Sequence, residues 1–318
     1  DGGKLPDSTE NELNNLIDSE IPNRETGVSN TDTSLVAKYE DYLVETMNND
    51  NLEGLNIVLD SANGATSGVA MRVFERLKAN VLTIFDDPDG ININDHCGAT
   101  DTIALQSTVL DKKLDCGAAF DGDGDRLIMV DSKGRQMDGD YIMYILANTD
   151  THSGVVATIM SNMGLEIALN KQNIKLHRTV VGDRYVLEGL EDTGYYLGGE
   201  QSGHIILPKL STTGDGLLAA IQTLRFVAKS KKTLDEWHDE LKLLPQFLVN
   251  IPLADKTLLE REDIKEYISK QSMELQNNGR LLIRPSGTEP KARVMVESPD
   301  AEERAKEIAE TLTKLMDK

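Results

Sequence analysis

The 318-residue sequence sets 33 lysines and arginines against 54 aspartates and glutamates, for a formal net charge of −21 and a pI near 4.6. Such a balance repels nucleic acid and anionic membrane surfaces, and it obliges any anionic substrate to find a local basic pocket. No stretch reaches the ~18–20 apolar residues of a membrane span, and no basic-then-apolar secretory leader is present. The two cysteines, Cys97 and Cys116, form neither a C-x-x-C pair nor a disulfide framework, so they read as reduced thiols of a cytoplasmic protein. The length is ample for two or three domains, each with its own core.

Residues 1–33 are polar, with a short helical pattern over 10–17 and a linker over 22–33. The spacing of Leu35, Tyr39, Tyr42 and Leu43 predicts a helix over 34–47. Strands and helices then alternate. Strand 55–59 leads through a small-residue loop, 60–68, into helix 69–77; strand 81–85, helix 102–112 and strand 115–120 follow. Segments 127–130 and 135–138 make a hairpin across Ser132-Lys133-Gly134. The 60–68 loop has amides that suit a phosphate but no P-loop lysine, and reads first as a tight connection packing its helix on the sheet. A second unit repeats the alternation: helix 141–148, strand 155–160, helix 165–171, strand 175–180, and a V-G-D-R-Y loop opening a helix that runs to residue 190. Short strands 195–197 and 205–207 flank G-G-E-Q-S-G-H, and T-T-G-D-G precedes a long helix, 217–228. The last stretch has strand 247–251, helix 260–275, strands 280–283 and 293–297, and a terminal helix. Asp300 and Glu303 form a capping box for that helix, and Ala301, Ala305, Ile308, Leu312 and Leu315 give it one apolar face. The expected fold class is α/β: successive mixed-sheet α/β domains, then a smaller C-terminal α+β domain. The expected divisions are 1–33, 34–137, 138–244 and 245–318.

Three loops carry chemistry. The first, Phe120-Asp121-Gly122-Asp123-Gly124-Asp125-Arg126, puts carboxylates on alternate residues. Two unit charges ~4 Å apart at an effective dielectric of ~20 interact by ~4 kcal/mol, so converging carboxylates need a counter-charge or must splay into water. Gly122 and Gly124 let the backbone curl, alternation aims Asp121, Asp123 and Asp125 the same way, and such hard oxygen donors suit Mg²⁺ or Ca²⁺. A solvated acidic turn is the plainer reading of a D-G-D triplet. Here, however, apolar runs on both sides pin the loop between strands, and Arg126 is placed to meet an anion. In the second loop, Glu200 and Ser202 suit adjacent sugar hydroxyls, one accepting and one donating. His204 suits a phosphate oxygen or a proton transfer; the alternative is a polar turn whose histidine is satisfied by backbone. The third loop gathers Arg284, Ser286, Gly287, Thr288, Lys291 and Arg293, a set that suits a phosphate monoester with arginine as bidentate donor. Each charge-assisted hydrogen bond contributes ~1.5–3 kcal/mol, so three or four would overcome the unfavourable overall charge. Its alternative is a basic hairpin tip on the surface.

In this order and at these separations, the loops resemble those of the α-D-phosphohexomutase superfamily. F-D-G-D-G-D-R is similar to its metal loop, G-G-E-Q-S-G-H to its sugar-specificity loop, and R-P-S-G-T-E-P-K-A-R-V-M to its phosphate loop. Gln201, the V-G-D-R-Y loop and the R-V-M-V-E strand are most similar to the bacterial phosphoglucosamine mutase branch, and the likeness runs from about Leu35 to the C-terminus. It implies four domains around a central cleft. It also implies isomerisation of glucosamine 6-phosphate to glucosamine 1-phosphate on the route to peptidoglycan precursors, by way of a phosphoserine and a bisphosphorylated intermediate. Mg²⁺ would be held by Asp121, Asp123 and Asp125. Substrate contacts would fall to Glu200, Ser202, His204, Gly182 and Arg184, and the phosphate to Arg284, Ser286, Gly287, Thr288 and Arg293. Arg126 and His204 would support the chemistry. One departure is large: the family's T-A-S-H-N-P serine loop is absent, with no T-x-S-H or S-H-N anywhere in the sequence. The opening D-G-G-K-L resembles a point late in the family's first domain. The expectation is therefore a chain of domains two to four, with 1–33 a remnant of domain one and linker, lacking the phosphoserine and inactive alone. Oligomeric state is not readable.

Other readings fare less well. An EF-hand shares the aspartate spacing, but its sixth position holds Arg126 rather than glycine and its twelfth Ser132 rather than glutamate. An aspartate-nucleophile phosphatase would want threonine or valine where Asp125 stands, and would leave the Glu200 and Arg284 loops unexplained. A phosphomannomutase or phosphoglucomutase of the same superfamily, and a non-catalytic sugar-phosphate binder, remain as alternatives.

Overall fold

The run C-G-A-A-F buries all five of its residues, as a strand covered on both faces must, and the first sheet is built around it. The computed structural model describes all residues except 1–4, 6, 18, 20–26, 29, 150–153, 254, 277, 287–288 and 317–318. Part of the expected 22–33 linker, and both Gly287 and Thr288, therefore lie outside the described residues.

The chain begins with α1 (Asp7–Ile17) and α2 (Ser34–Glu45). The next stretch gives β1 (Asn56–Asp60), α3 (Val69–Arg76), β2 (Asn80–Ile84), α4 (Ile103–Lys112), β3 (Cys116–Phe120), β4 (Leu127–Asp131) and β5 (Gln136–Met137). Then come α5 (Gly139–Ala147), β6 (Gly154–Thr158), α6 (Met163–Lys171), β7 (Lys175–Thr179), α7 (Asp183–Thr193), β8 (Gly198–Gly199) and β9 (Ile205–Ile206). Helices α8 (Gly216–Ser230) and α9 (Leu234–Glu240) follow. The chain ends with β10 (Gln246–Pro252), α10 (Glu262–Leu275), β11 (Arg280–Pro285), β12 (Lys291–Glu297) and α11 (Ala301–Met316). These elements make two compact units, residues 1–161 with 172–240, and residues 162–171 with 241–318.

The first unit holds two sheets of one plan. The order of one is β2-β1-β3-β4-β5, with β1 parallel to β2 and β3, and β4 antiparallel to β3. The other is β7-β6-β8-β9, with β6 parallel to β7 and β8, and β9 antiparallel to β8. Edge strands β2 and β7 expose alternate residues, whereas β3, β4 and β6 are buried throughout. Leu105 and Val109 of α4 pack on Val58, Ala119 and Val130; Val186 and Leu190 of α7 pack on Val156 and Ile206. Cys97 and Cys116 are buried free thiols. No helix among the described residues is long and apolar enough to cross a membrane.

The second unit is an antiparallel sheet, β10-β12-β11, covered by the Ala301, Ala305, Ile308 and Leu312 stripe of α11. Helix α6 belongs with it. The fully buried Glu297 accepts from the Met163 amide at 2.9 Å and pairs with Arg280 at 2.7 Å, and Asn162 Oδ1 accepts from the Leu244 amide at 2.9 Å.

Three local expectations need correction. The strand expected at 195–197 pairs instead at Gly198–Gly199. Side chains would collide there, since a Cβ on Gly198 would lie 2.8 Å from Val186 and one on Gly199 2.8 Å from the His204 carbonyl; a strand of glycines reads as a loop in sequence. Helix α9 was not expected, although Thr233 and Glu236 form a capping box, with Thr233 N–H to Glu236 at 2.7 Å and Glu236 N–H to Thr233 at 3.3 Å. Asp300, expected to cap α11 with Glu303, accepts from Arg304 Nε at 2.8 Å, and no hydrogen bond joins it to Glu303 among the described residues.

At the end of β1 the buried Asp60 accepts from the Ala62 and Gly98 amides, each at 2.9 Å. Burial pushes its carboxyl from 3.8 up to about 6, against the pull of those two amides. The native state therefore binds the extra proton across that window. The group's contribution is full below the unfolded pKa and is lost as pH rises through the folded one. Asp60→Asn should thus cost more stability near about pH 4 than near about pH 7 in urea unfolding, and equal costs at both would contradict the burial penalty.

Candidate functional site

The loop between β3 and β4 brings one carboxylate oxygen from each of Asp121, Asp123 and Asp125 within 4.8 Å of one another. Its backbone is held from inside and from two neighbours. Asp121 accepts from the Arg126 amide at 3.1 Å through its side chain and from the Gly124 amide at 3.1 Å through its carbonyl. Gly124 has φ +79°, which favours glycine. The Gly122 carbonyl accepts from Ala65, and the Gly124 carbonyl from Gly216 at the start of α8, both at 2.9 Å. A Cβ on Gly64 would sit 2.3 Å from the Gly122 oxygen, and one on Gly216 2.2 Å from the Arg126 oxygen. The 60–68 loop thus seats the acidic loop. Arg126 Nε lies 3.5 Å from Asp121 and 3.8 Å from Asp125, so its half-exposed side chain faces its own loop's carboxylates. Burial pushes the Asp121 carboxyl up, while the hydrogen bond from His204 holds Asp125 below the usual carboxylate range. All-oxygen, anionic and partly desolvated, this donor set fits a hard divalent cation.

The β8–β9 loop is fastened to this one. Leu127 donates to the Gly203 carbonyl at 3.0 Å, and Arg126 and His204 form an antiparallel bridge. His204, expected among the substrate contacts for a phosphate oxygen or a proton transfer, is buried, with Nδ1 3.1 Å from Asp125 Oδ2. Among the described residues its Nε2 has no hydrogen-bond partner, and it lies 3.6 Å from Asp183; Gly214 packs on the ring so closely that a Cβ would come within 2.2 Å of Nε2. The histidine orients Asp125 and is sealed from solvent. Glu200 is half-buried and accepts from the Gly182 amide at 3.3 Å. Ser202 is exposed, and Arg184 Nε pairs with Glu188 at 3.1 Å. The Gly139 amide donates to the Gln201 carbonyl at 3.0 Å. The Gln201 side chain reaches Asp138, the N-cap of α5, whose carboxyl burial pushes up to about 6. Asp138 and Gly139 carried no signal in the sequence, and Gly64 and Gly216 showed only as members of small-residue loops.

In the second unit Arg284 and Arg293 stand directly opposite each other on β11 and β12. Like charges so placed repel, and among the described residues neither guanidinium makes a hydrogen bond or an ion pair. Ser286 is buried; its amide donates to the Lys291 carbonyl at 2.8 Å and its hydroxyl accepts from the Glu289 amide at 3.3 Å. Lys291 is paired with Glu289 at 2.9 Å. Two arginines facing each other in so acidic a chain are an arrangement that suits an anion.

Family models described as phosphoglucomutase/phosphomannomutase match the chain over alpha/beta/alpha domain II at residues 37–134, alpha/beta/alpha domain III at 138–243 and the C-terminal domain at 248–315. The chain belongs to the α-D-phosphohexomutase superfamily. Among phosphohexomutases, the phosphoglucosamine mutase of Bacillus velezensis is 45% identical over 331 residues, covering 100% of this chain and 72% of that protein. The Proteus mirabilis phosphoglucosamine mutase is 45% identical over 95% of this chain and 70% of its own length. A phosphoglucomutase/phosphomannomutase family protein from Burkholderia thailandensis shares the fold, with TM-score 0.77, 18% identity, and coverage of 98% of this chain and 70% of that one. So does an Aspergillus fumigatus N-acetylphosphoglucosamine mutase described in complex with GlcNAc-6P and magnesium, with TM-score 0.68, 19% identity, and coverage of 88% and 64%. The phosphohexomutase class of enzyme is an isomerase.

A Cβ on Gly139 would lie 1.9 Å from the Glu200 carbonyl oxygen. Gly139→Ala should therefore cost about 1–3 kcal/mol in chemical denaturation, as overpacking does, and should shift the amide resonances of residues 200–203. An unchanged midpoint would show that the loop retreats freely.

Proposed function

We propose that the protein is a phosphoglucosamine mutase that interconverts glucosamine 6-phosphate and glucosamine 1-phosphate through a bisphosphorylated sugar. The reading is carried by the acidic loop fastened to the Glu200 loop, in a chain 45% identical along its whole length to an enzyme of that name. Magnesium is the ion we assign to Asp121, Asp123 and Asp125, on the hardness and spacing of their oxygens. Bound there, it supplies charge neutralisation to the phosphoryl group in transfer.

The chain's own residues do the rest. Arg126, beside the same carboxylates, offers its guanidinium to the transferring group. Glu200 accepts from sugar hydroxyls, kept in place by the Gly182 amide, and the exposed Ser202 donates to a neighbouring hydroxyl. Arg184, at the start of α7, adds a further substrate contact. Arg284 and Arg293 hold the phosphate that is not reacting, with Ser286, and with Gly287 and Thr288 assigned from sequence. Residues 34–137, 138–244 and 245–318 serve as the metal, sugar and phosphate divisions. The reaction belongs in the cytoplasm, with hexosamine phosphate as the partner. The sequence holds no T-x-S-H or S-H-N segment, so we infer that this chain binds substrate but does not turn it over by itself.

Calorimetry with glucosamine 6-phosphate in magnesium should show uptake that Arg293→Gln weakens at least about tenfold, the scale of one lost charge-assisted contact. Preference for glucose or mannose phosphate would overturn the assignment of substrate, and turnover at an enzyme-like rate by the 318 residues alone would overturn the inference about the serine. Arg293→Gln should also leave the ligand-free protein no less stable at low salt, because it relieves the Arg284 repulsion. Inorganic phosphate should raise the melting midpoint of the parent protein and not that of the variant.

A further inference from the structure

A cavity of about 730 Å³ lies in the first unit, between the C-terminal half of α8, the end of α5 and the segment after β9. Its volume is that of a small-molecule site, and none of its lining residues belongs to the three loops described above. Its charge runs against that of the chain. Lys209, Arg225 and Lys229 line it and no carboxylate does, in a sequence where acids outnumber bases 54 to 33.

The cations are anchored. One oxygen of Asp50 accepts from Arg225 Nε at 2.7 Å and from Lys229 Nζ at 2.6 Å. A single negative charge shared by two cations leaves that group net positive. Lys209 adds a third cation, its ammonium 3.4 Å from the centre of the Tyr196 ring. Beside these charges one part of the wall is apolar, with Leu146 and Leu207 buried and the Phe226 and Tyr196 rings facing the same space, and Asn48, Thr149, Gln222 and Ser230 add neutral polar groups. A bare phosphate would leave the apolar wall wet. An uncharged ring would leave the cations without a partner. A ligand that satisfies both carries an aromatic body and an anionic group.

We propose that this cavity is a second binding site, separate from the sugar-phosphate machinery, for an aromatic organic phosphate of the nucleoside monophosphate class. The 318-residue protein at low salt is titrated by calorimetry with the four ribonucleoside monophosphates, the corresponding nucleosides and inorganic phosphate. At least one monophosphate should bind, with its nucleoside and inorganic phosphate each at least about tenfold weaker. The double variant Lys209→Ala with Lys229→Ala removes two exposed side chains. It should keep its melting midpoint and lose binding at least about tenfold, whereas Arg284→Gln with Arg293→Gln should bind the nucleotide as the parent does. Failure of all four monophosphates overturns the proposal, as does equal binding of inorganic phosphate or of a nucleoside. So does binding that survives the lysine changes and disappears with the arginine changes.

Discussion

A short backbone seam between residues 126–127 and 203–204 keeps the acidic loop in a single shape. Three carboxylates this close repel each other by several kcal/mol when nothing lies between them, and a free loop would relax by opening. Here the opening is blocked. Leu127 is bonded to Gly203, His204 holds Asp125 through its ring, and the start of α8 and the middle of the 60–68 loop press on the carbonyls of residues 122, 124 and 126. The seam is possible because Gly203 has φ +96° and because a Cβ there would lie 2.3 Å from the Leu127 oxygen. Preorganisation of this kind sets the donors before any cation arrives, so binding need not also order the loop.

The two sheets explain why these loops meet. In each, a parallel strand turns back into an antiparallel neighbour, β3 into β4 and β8 into β9. The acidic loop and the Glu200 loop occupy that same turn in their respective sheets. One plan, used twice, thus presents the carboxylate cluster and the Glu200 loop side by side, and the Arg126–His204 bridge joins them.

Much of this was legible in sequence because it is local. Alternating Asp and Gly between two apolar runs announced the acidic loop, and apolar residues spaced alternately four and three apart announced α11. What failed was either disguised or long-range. Gly198–Gly199 pairs as a strand where a Cβ on either residue would collide with its neighbours, so it lacks the side chains that announce a strand in sequence. Nothing near His204 in the chain shows that its ring belongs under Asp125, since that contact depends on the pairing of two loops distant in sequence. The facing of Arg284 and Arg293 follows from the register of β11 on β12, which no spacing rule specified.

Helix α6 lies in sequence between β6 and β7 of the first unit, yet it is grouped with the second unit and gives its Met163 amide to Glu297. The second unit is therefore not a continuous stretch of chain. During vectorial synthesis, residues 162–171 leave the ribosome well before the strands that complete their unit, and must wait for them. A gene split at residue 241 would yield a C-terminal piece in which a buried glutamate has lost one of its donors.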